Sequence, residues 1–550
     1  MRWKTAVVAA GVASALLLSG CATGGGTPTT GAALTIAKPD GAIATESNNP
    51  WIGDSSAMKL GYANVLFEPL AFVNLIDPSA DVIPWLASEI VWADDYTSVQ
   101  LTARDGVTWN DGEAFTADDI AFTFEYVRDN PAINTTGLPI TDVTVDGSVV
   151  TVGFESSVFV KIDKVLHQFI VPEHIWADID DPSTATNPDP VGTGPYTLTS
   201  FSSQSVQLDL RDGYWGGDLA VPTLYYVSYN DNTSLTTALA NGDADWAQGF
   251  IPNIEDAYLS QDPDNVYWAP AGLGVDALWF NTTTAPFDNV ALRQAMNLVV
   301  DRQQHLEVAR EGSVPALTSV TGLPTPAGDA YITSAYQGED YTVDIDGAKA
   351  ILEDAGYTWD SSDKLIDPSG TPVTFTIQVP QGWSDYVTGI TLIAESVKAI
   401  GIDATVDTPD VDTWWSAKGT GDFQAILHWT DTGLTPWDIY SDIMDGARAL
   451  PIGEQSEQFN FGRFDDPEVT AALADYANAS SDADREAALE IIQTAFVEDA
   501  VALPIGTRPF IGEFNTRNYV GWPSDEDPYA VPEPTQRQAL LILTRLEAAE

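Results

Sequence analysis

Five tryptophans lie close together in the second half of the sequence, and side chains of this type can bind a flat apolar ligand surface. The chain's 17 tryptophans in 550 residues predict about 1.7 in a stretch of 55 residues, where five are found. An indole offers a broad apolar face with one N–H at its edge, which suits stacking on a sugar ring or gripping a side chain. Core packing explains any single one equally well. The five are Trp383, Trp414, Trp415, Trp429 and Trp437.

Signatures of the common enzyme classes are missing from the sequence. It has no G-x-S-x-G, no H-E-x-x-H, no P-loop and no complete dinucleotide fingerprint. With 80 acidic residues, an acid pair could be placed anywhere, so their abundance does not indicate a glycosidase. The segment from Asp344 to Glu353 matches four positions of the EF-hand calcium loop. The first position of that loop would be Thr342, which has no carboxylate, and Asp346 is expected to cap a helix instead. We therefore predict no catalysis, no metal and no cofactor. The histidines lack metal-ligand spacing; they are His167, His174, His305 and His428.

The N-terminus has the features of an export signal. Arg2 and Lys4 precede an apolar run, Thr5 to Leu18, that is too short to span a bilayer comfortably. The run ends in Leu-Ser-Gly-Cys, which resembles the lipobox of bacterial lipoproteins, and Cys21 is the only cysteine. A flexible segment, ATGGGTPTTG, follows. We predict that Cys21 is lipidated and anchors an extracytoplasmic protein to the outer face of the bacterial cell membrane.

The charge balance restricts the possible partners. Removal of residues 1–20 leaves 21 basic and 80 acidic residues, a formal charge of −59. Such a field repels nucleic acid and anionic lipid head groups, so we predict no nucleic-acid partner. About 530 mature residues exceed what one hydrophobic core normally supports, which predicts two or more lobes.

Helices and strands alternate along the chain, which favours an α/β fold. Thr116 is expected to cap a helix with acidic residues in its first turn, and Asp146-Gly147 to join a hairpin. In the second half, a helix from Thr388 to Ile400 is followed by strands at Ile402–Val406 and Phe423–His428. Residues just past the end of such a strand usually face ligand in α/β lobes.

Several segments together resemble one family, the solute-binding proteins (family 5) that feed oligopeptide-type ABC importers. The resemblance runs in one order over nearly the whole mature chain. The segments are WNDGEAFTADDIAFTFE, GTGPYTL, FNTTTAPFDNVALRQAMNLVVDR, YTVDIDGAKAILEDAGY, VKAIGIDATV and REAALEIIQTAFVEDAVALPI.

The resemblance implies an α/β fold of the two-lobe periplasmic-binding-protein type II, or "Venus flytrap", with an additional N-terminal subdomain. Ligand would lie between lobes joined by crossovers near 281–289 and 503–510. We predict a signal peptide at 1–20, a tether at 21–33, the first lobe at 34–64, the additional subdomain at 65–191, the first lobe again at 192–288, the second lobe at 289–504 and a return to the first lobe at 505–550.

The resemblance also bears on the ligand. Peptide binders of the family carry an Asp-x-x-Pro stretch whose Asp pairs with the peptide's amino group, but Pro436 lies five residues after Asp431. The segments GWSDYVTGITLIAESVKAIGIDATV and TPWDIYSDIM are closer to the cello-oligosaccharide-binding branch. We therefore predict a β-linked, cellobiose-like oligosaccharide, with Asp385 and Asp431 accepting from its hydroxyls. The predicted stacking platforms are Trp383, Trp414, Trp415, Trp429 and Trp437.

Two alternatives stay open at this point. An oligopeptide ligand would use the same fold and differ only in ligand identity. An extracytoplasmic hydrolase would need a nucleophile or an acid pair in the cleft. The expected partners of a monomeric binding protein are its ligand, the transmembrane permease subunits of an ABC importer and the membrane itself, through the lipid.

Overall fold

A computed structural model describes residues 31–549 apart from 42, 44, 457 and 458. The predicted lipidation site, Cys21, lies outside the described residues. Within them, no helix combines the length and apolarity that crossing a membrane requires.

The strands in chain order are β1 (Leu34–Lys38), β2 (Ala71–Phe72), β3 (Ile83–Pro84), β4 (Ala87–Trp92), β5 (Ser98–Ala103), β6 (Ile140–Asp146), β7 (Val149–Phe154), β8 (Tyr196–Phe201), β9 (Ser205–Leu210), β10 (Thr223–Ser228), β11 (Trp246–Ala247), β12 (Asn265–Trp268), β13 (Ala271–Phe280), β14 (Thr358–Trp359), β15 (Leu365–Ile366), β16 (Thr374–Gln378), β17 (Asp403–Asp407), β18 (Ala425–Trp429), β19 (Ala502–Pro509), β20 (Gly512–Asn515), β21 (Tyr519–Val520) and β22 (Glu547–Ala548).

The α-helices are α1 (Ser56–Leu60), α2 (Ala63–Leu66), α3 (Ala117–Asp129), α4 (Ile162–Leu166), α5 (Glu173–Trp176), α6 (Asn232–Asn241), α7 (Ile254–Ala257), α8 (Val290–Val299), α9 (Arg302–Val308), α10 (Ile345–Asp354), α11 (Ser384–Ser396), α12 (Val411–Thr420), α13 (Trp437–Met444), α14 (Pro467–Asn478), α15 (Asp482–Glu498) and α16 (Gln538–Arg545).

Three larger sheets organise these elements. A seven-stranded sheet has the order β12-β20-β11-β1-β10-β9-β8, and a four-stranded sheet has the order β4-β5-β7-β6. These two share one hydrophobic core. A five-stranded sheet has the order β17-β16-β18-β13-β19. We call residues 31–270 and 510–549 the first lobe and residues 271–509 the second lobe, because the strands of the two larger sheets divide there.

Local signals in the four-stranded region behave as the sequence predicts. The Thr116 side chain accepts from the Asp118 N–H at 3.2 Å, and Asp119 accepts from the Thr116 N–H at 2.8 Å, so α3 begins with a capping box. Strands β6 and β7 pair up to Asp146 opposite Val149, which confirms the hairpin.

In α10, however, the cap is Asp344, which accepts from the Gly347 N–H at 2.8 Å, so the prediction of Asp346 as the cap was wrong.

The five-stranded sheet is buried on both faces. In β13, Leu278 and Phe280 pack with α8, α10 and α11, whereas Ala277 and Trp279 pack with α13, α14 and α15. Alternate side chains of a strand point to opposite faces, so one strand contributes to two cores. The sequence of a strand that is buried on both faces is a continuous apolar run, and the Leu-Trp-Phe at the end of β13 is such a run.

The chain changes sheets between β12 and β13, at 269–270, and between β19 and β20, at 510–511. The first crossover lies earlier than the 281–289 expected from the sequence. Strand β13 pairs antiparallel with both β18 and β19, so it belongs to the five-stranded sheet of the second lobe. The sequence placed the boundary later because the next helix, α8, begins only after Asn289. The predicted boundaries at 192–288, 289–504 and 505–550 would therefore shift to the ends of these strands.

Candidate functional site

The two lobes contact each other along the cleft between their sheets. Asn232, at the start of α6, donates to the Ser384 hydroxyl at 3.3 Å and approaches Asp385 Oδ1 at 3.5 Å. On another side, the Ser157 N–H donates to Asn478 Oδ1 at 3.2 Å. The first contact meets the start of α11, which places the stretch beginning at Trp383 at the cleft.

The aromatic cluster consists of Trp383, Trp414, Trp415, His428 and Trp429. Ring centroids lie 5.1 Å apart for Trp383 and Trp414, 5.0 Å for Trp414 and Trp415, and 5.8 Å for Trp383 and Trp429. The His428 ring stacks on Trp429 at 4.2 Å and on Trp414 at 5.3 Å. Mixed edge-to-face and stacked pairs at these separations are the arrangements that aromatic rings prefer. Four of the five predicted tryptophans thus form one packed unit.

Exposure divides the cluster into an interior and an edge. Trp414 has no exposed surface, whereas Trp415 is 39% exposed and Trp383 and Trp429 are half-buried. The Arg508 guanidinium lies 4.9 Å from the Trp429 ring centroid. Trp414 Nε1 and His428 Nε2 are buried and have no hydrogen-bond partner among the described residues. Burial lowers the pKa of His428 well below its usual value, so its ring is neutral.

Asp385 is engaged in a buried ion pair next to this cluster. Its Oδ2 accepts from Arg310 Nη1, and Arg310 also lies 4.0 Å from Asp276 Oδ2. The Tyr386 hydroxyl donates to Asp276 Oδ1 at 2.6 Å. Burial alone would lower the pKa of Arg310, but the carboxylates of Asp385 and Asp276 raise it above its usual value. The network holds the start of α11 against β13.

Four acidic residues whose charges act on one another, Asp163, Asp431, Asp438 and Asp442, are called the carboxylate cluster. The Asp431 N–H donates to Asp442 Oδ2 at 2.7 Å. Asp438 is buried, and its Oδ2 has no partner among the described residues. Burial raises the pKa of Asp438 to about 7 and raises that of Asp442.

Three cations accompany the carboxylate cluster. Lys164 Nζ lies 3.2 Å from Asp163 Oδ2, and Arg448 Nη1 lies 2.9 Å from Asp442 Oδ1. Lys161 Nζ lies 6.0 Å from the ring centroid of Trp437. Since Lys161, Asp163 and Lys164 come from the first lobe, the cluster combines charges of both lobes.

Comparison with protein families identifies the type of protein. The model for "Bacterial extracellular solute-binding proteins, family 5 Middle" matches residues 81–449. The chain belongs to this family. As a family 5 protein it is a solute-binding component of an ABC importer.

Curated relatives agree with the family assignment. The nickel-binding periplasmic protein of Escherichia coli is 23% identical over 456 residues, which cover 80% of this chain and 83% of the relative. The dipeptide-binding protein of Escherichia coli is 25% identical over 424 residues, which cover 70% and 75%. Both are named as binding proteins rather than enzymes.

Solved structures confirm the predicted fold class. The mannohexaose-bound periplasmic oligopeptide-binding protein of Thermotoga maritima superposes with a TM-score of 0.84 at 24% identity, covering 94% of this chain and 99% of that one. The oligopeptide-binding protein AppA of Bacillus subtilis, in complex with a nonapeptide, has a TM-score of 0.77 at 18% identity, covering 95% and 100%. The family 5 protein therefore has the two-lobe type II architecture.

The predicted site residues of this family 5 protein fall into different environments. Trp437 lies outside the aromatic cluster, and its Nε1 donates to the Leu473 carbonyl at 3.0 Å within the core. Asp431 is exposed and belongs to the carboxylate cluster, although it follows Trp429 by two residues. Sequence reasoning missed four residues that shape these sites. His428 and Arg508 could have been found from the sequence, because each is a polar residue near the end of a predicted strand. No feature of the neighbouring sequence indicates a role for Arg310 or Lys164.

An open pocket of about 790 Å³ lies elsewhere, lined by residues that include Asp218, Tyr529 and Arg545. All of its lining residues belong to the first lobe, so closing the lobes does not form it. The cleft, where both lobes supply side chains, is the better candidate site.

Proposed function

We propose that this family 5 protein captures a β-linked, cellobiose-like oligosaccharide between its lobes and delivers it to the permease of an ABC importer. The observation that carries the proposal is the aromatic cluster at the cleft, because a sugar ring packs its C–H face on an indole. Trp383, Trp415 and Trp429 retain exposed surface and are the proposed platforms. The proposed hydroxyl acceptors are Asp431, which is exposed, and the Oδ1 of Asp385.

The other two predicted tryptophans, Trp414 and Trp437, are not proposed to stack on the ligand. Trp414 has no exposed face and packs against all four other members of the cluster, so we assign it the role of supporting the platforms. Trp437 donates its N–H to a core carbonyl and is 8% exposed. Neither has the free indole face that stacking on a sugar requires.

The second candidate ligand is an oligopeptide. The dipeptide-binding relative and the nonapeptide complex of the Bacillus subtilis neighbour favour it. The mannohexaose complex of the Thermotoga maritima neighbour favours a sugar. The relatives are binding proteins, which supports capture rather than hydrolysis.

Titration of the mature chain distinguishes these ligands. Cellobiose and cellotriose are expected to change tryptophan fluorescence and to give a measurable heat of binding, whereas trialanine is not. Trp429→Ala should weaken cellotriose binding at least about tenfold, since it removes a stacking face. Trp359→Ala, at another half-buried tryptophan of the second lobe, is the matched control and should leave the affinity within twofold. A response to trialanine alone contradicts the oligosaccharide proposal.

We also propose that the protein is a monomer held to the outer face of the cell membrane by lipid on Cys21. The support is the apolar run ending in Leu-Ser-Gly-Cys and the single cysteine of the chain. An anchored binding protein and its permease meet at the same membrane, which shortens the search for the partner. Metabolic labelling with a palmitate analogue tests the anchor: label retained by Cys21→Ala contradicts it.

A further inference from the structure

Strand β19 carries Arg508 near its end, where the chain leaves the second lobe. In the central strand β13, Asp276 lies opposite Trp429 of β18 on one side and opposite Gly506 of β19 on the other. Opposite residues of paired strands project to the same face of a sheet, and so do residues two apart in one strand. Arg508 therefore shares a face with Trp429, at the end of the sheet from which both crossovers lead to the first lobe. The 4.9 Å between its guanidinium and the Trp429 ring centroid agrees with this placement.

Arg508 lacks the polar partners that the other arginines have. Every other arginine in the described part of the chain forms a hydrogen bond or an ion pair, whereas Arg508 forms neither with the described residues. The chain has 80 acidic residues and 23 basic ones, so a guanidinium without a carboxylate partner stands out. Its five N–H donors are available to a ligand.

The acidic residues of the buried network beside Trp429 are already engaged. Asp276 is 2% exposed, and its Oδ1 accepts from the Tyr386 hydroxyl at 2.6 Å. Its Oδ2 lies 4.0 Å from Arg310, and Arg310 also pairs with Asp385. This network therefore provides no free carboxylate for Arg508.

Closure of the lobes on a ligand would enclose the half-buried Arg508. A charge that is enclosed without a partner is costly, and the contact with the Trp429 ring offsets only part of that cost. A carboxylate can accept two parallel N–H···O bonds from a guanidinium and also neutralises its charge. A sugar hydroxyl has no charge and cannot do both. The favoured partner of Arg508 is therefore an acidic group of the ligand.

We propose that Arg508 binds a carboxylate of the ligand, and that the preferred ligand is an acidic, β-linked oligosaccharide lying beside Trp429. Because Arg508 forms no hydrogen bond with the described residues, it can turn toward the ligand without breaking one. The sugar part of this inference rests on the proposed function. The carboxylate part does not, since a peptide also ends in a carboxylate.

Two ligand pairs test the proposal on the mature chain by calorimetry. Cellobionic acid is compared with cellobiitol, which has the same open-chain end without the carboxylate, and trialanine is compared with its C-terminal amide. A salt concentration of about 0.15 M gives a Debye length of about 8 Å, which screens the overall negative charge of the chain. Wild type should bind cellobionic acid at least about tenfold more tightly than cellobiitol, since hydrogen bonds between charged groups are the strong ones.

Three variants identify Arg508 as the source of this preference. Arg508→Met keeps an apolar stem on Trp429 and should lose the preference, with cellobiitol affinity within about threefold of wild type. Arg508→Lys keeps the charge without the planar fork and should show an intermediate preference. Arg545→Met is the matched control, because the Arg545 guanidinium also lies over an aromatic ring, 4.0 Å from the Tyr529 centroid, but in the first-lobe pocket. It should keep the wild-type preference.

The outcomes separate the inference from the proposed function. Wild type that does not prefer the acidic member of either pair overturns the inference, and so does a preference that persists in Arg508→Met. An Arg508→Met variant that weakens cellobionic acid and cellobiitol equally also overturns it, because Arg508 would then only support Trp429. If wild type still binds cellobiose in these cases, the proposed function survives. An Arg508-dependent preference seen with trialanine alone supports the inference and contradicts the oligosaccharide proposal.

Discussion

Asp385→Ala is the substitution whose effect the structure determines most directly. The Asp385 and Arg310 side chains are 8% and 6% exposed and form an ion pair. Without Asp385, Arg310 keeps only Asp276, at 4.0 Å, and its Nε already has no partner among the described residues. The variant therefore leaves a charged guanidinium in the interior with one distant counter-ion.

Removing one partner of a buried ion pair costs about 3–5 kcal/mol, since the remaining charge stays desolvated. For a cooperative unit of about 150–250 residues, each kcal/mol lowers Tm by about 2–4 °C, so we expect a decrease of roughly 6–20 °C. Urea unfolding followed by circular dichroism, without ligand, measures the free energy of unfolding, and a thermal scan measures Tm.

The Lys364–Asp403 pair is a matched control. Its side chains are 44% and 56% exposed, and exposed pairs contribute about 0–1 kcal/mol, so Asp403→Ala should have little effect. Replacing the whole buried network, with Arg310→Met, Asp385→Leu and Asp276→Asn, should recover most of the stability that Asp385→Ala loses, because no buried charge is then left without a partner. An Asp385→Ala variant within about 1 kcal/mol of wild type would refute the reasoning. It would instead favour an Asp385 free to accept from a ligand, as the sequence predicts.

Three further predictions concern pH, packing and the anchor. Burial raises the pKa of Asp438 to about 7, so between about pH 4 and pH 7 the folded state keeps a proton that the unfolded chain loses, and stability falls as the pH rises. Asp438→Asn should flatten this part of a Tm-versus-pH curve, and an unchanged curve contradicts the assignment. Trp437→Phe loses the hydrogen bond to Leu473 and should cost about 1 kcal/mol in urea unfolding with sugar affinity within twofold; a tenfold loss of affinity would place Trp437 at the ligand. Cys21→Ala should move the protein from the membrane to the soluble fraction on cell fractionation, and membrane retention contradicts lipid anchoring.

Local structure was predictable where neighbouring residues determine it. The capping box of Thr116 and Asp119 satisfies its own backbone N–H groups, so the pattern and the structure coincide. Gly356, just after the end of α10, has a φ of 86°, a conformation that glycine adopts without strain. The cap of α10 was placed two residues late because Asp344 and Asp346 both have capping side chains, and only the backbone geometry selects between them.

The candidate site was predictable only in part. Trp383, Trp414, Trp415 and Trp429 were recognisable as a local excess, and the structure places their rings in one cluster. Their individual exposure was not predictable, since an indole against a ligand and an indole in a core require the same residue type. The ion pair that occupies Asp385 was not predictable either, because its partner, Arg310, is 75 positions away in the sequence.

By itself, the sequence determined the elements, their order and the family, because capping residues, turn residues and apolar periodicity act over a few neighbouring positions. Only the tertiary structure decided that β13 joins the second sheet, that Trp437 is a core residue and that Val160 of the first lobe packs in the same core as Trp437. Burial and charge pairing depend on which distant segments the crossovers bring together. A local pattern shows that a residue is apolar or charged, but its partner is chosen by the packing of the lobes.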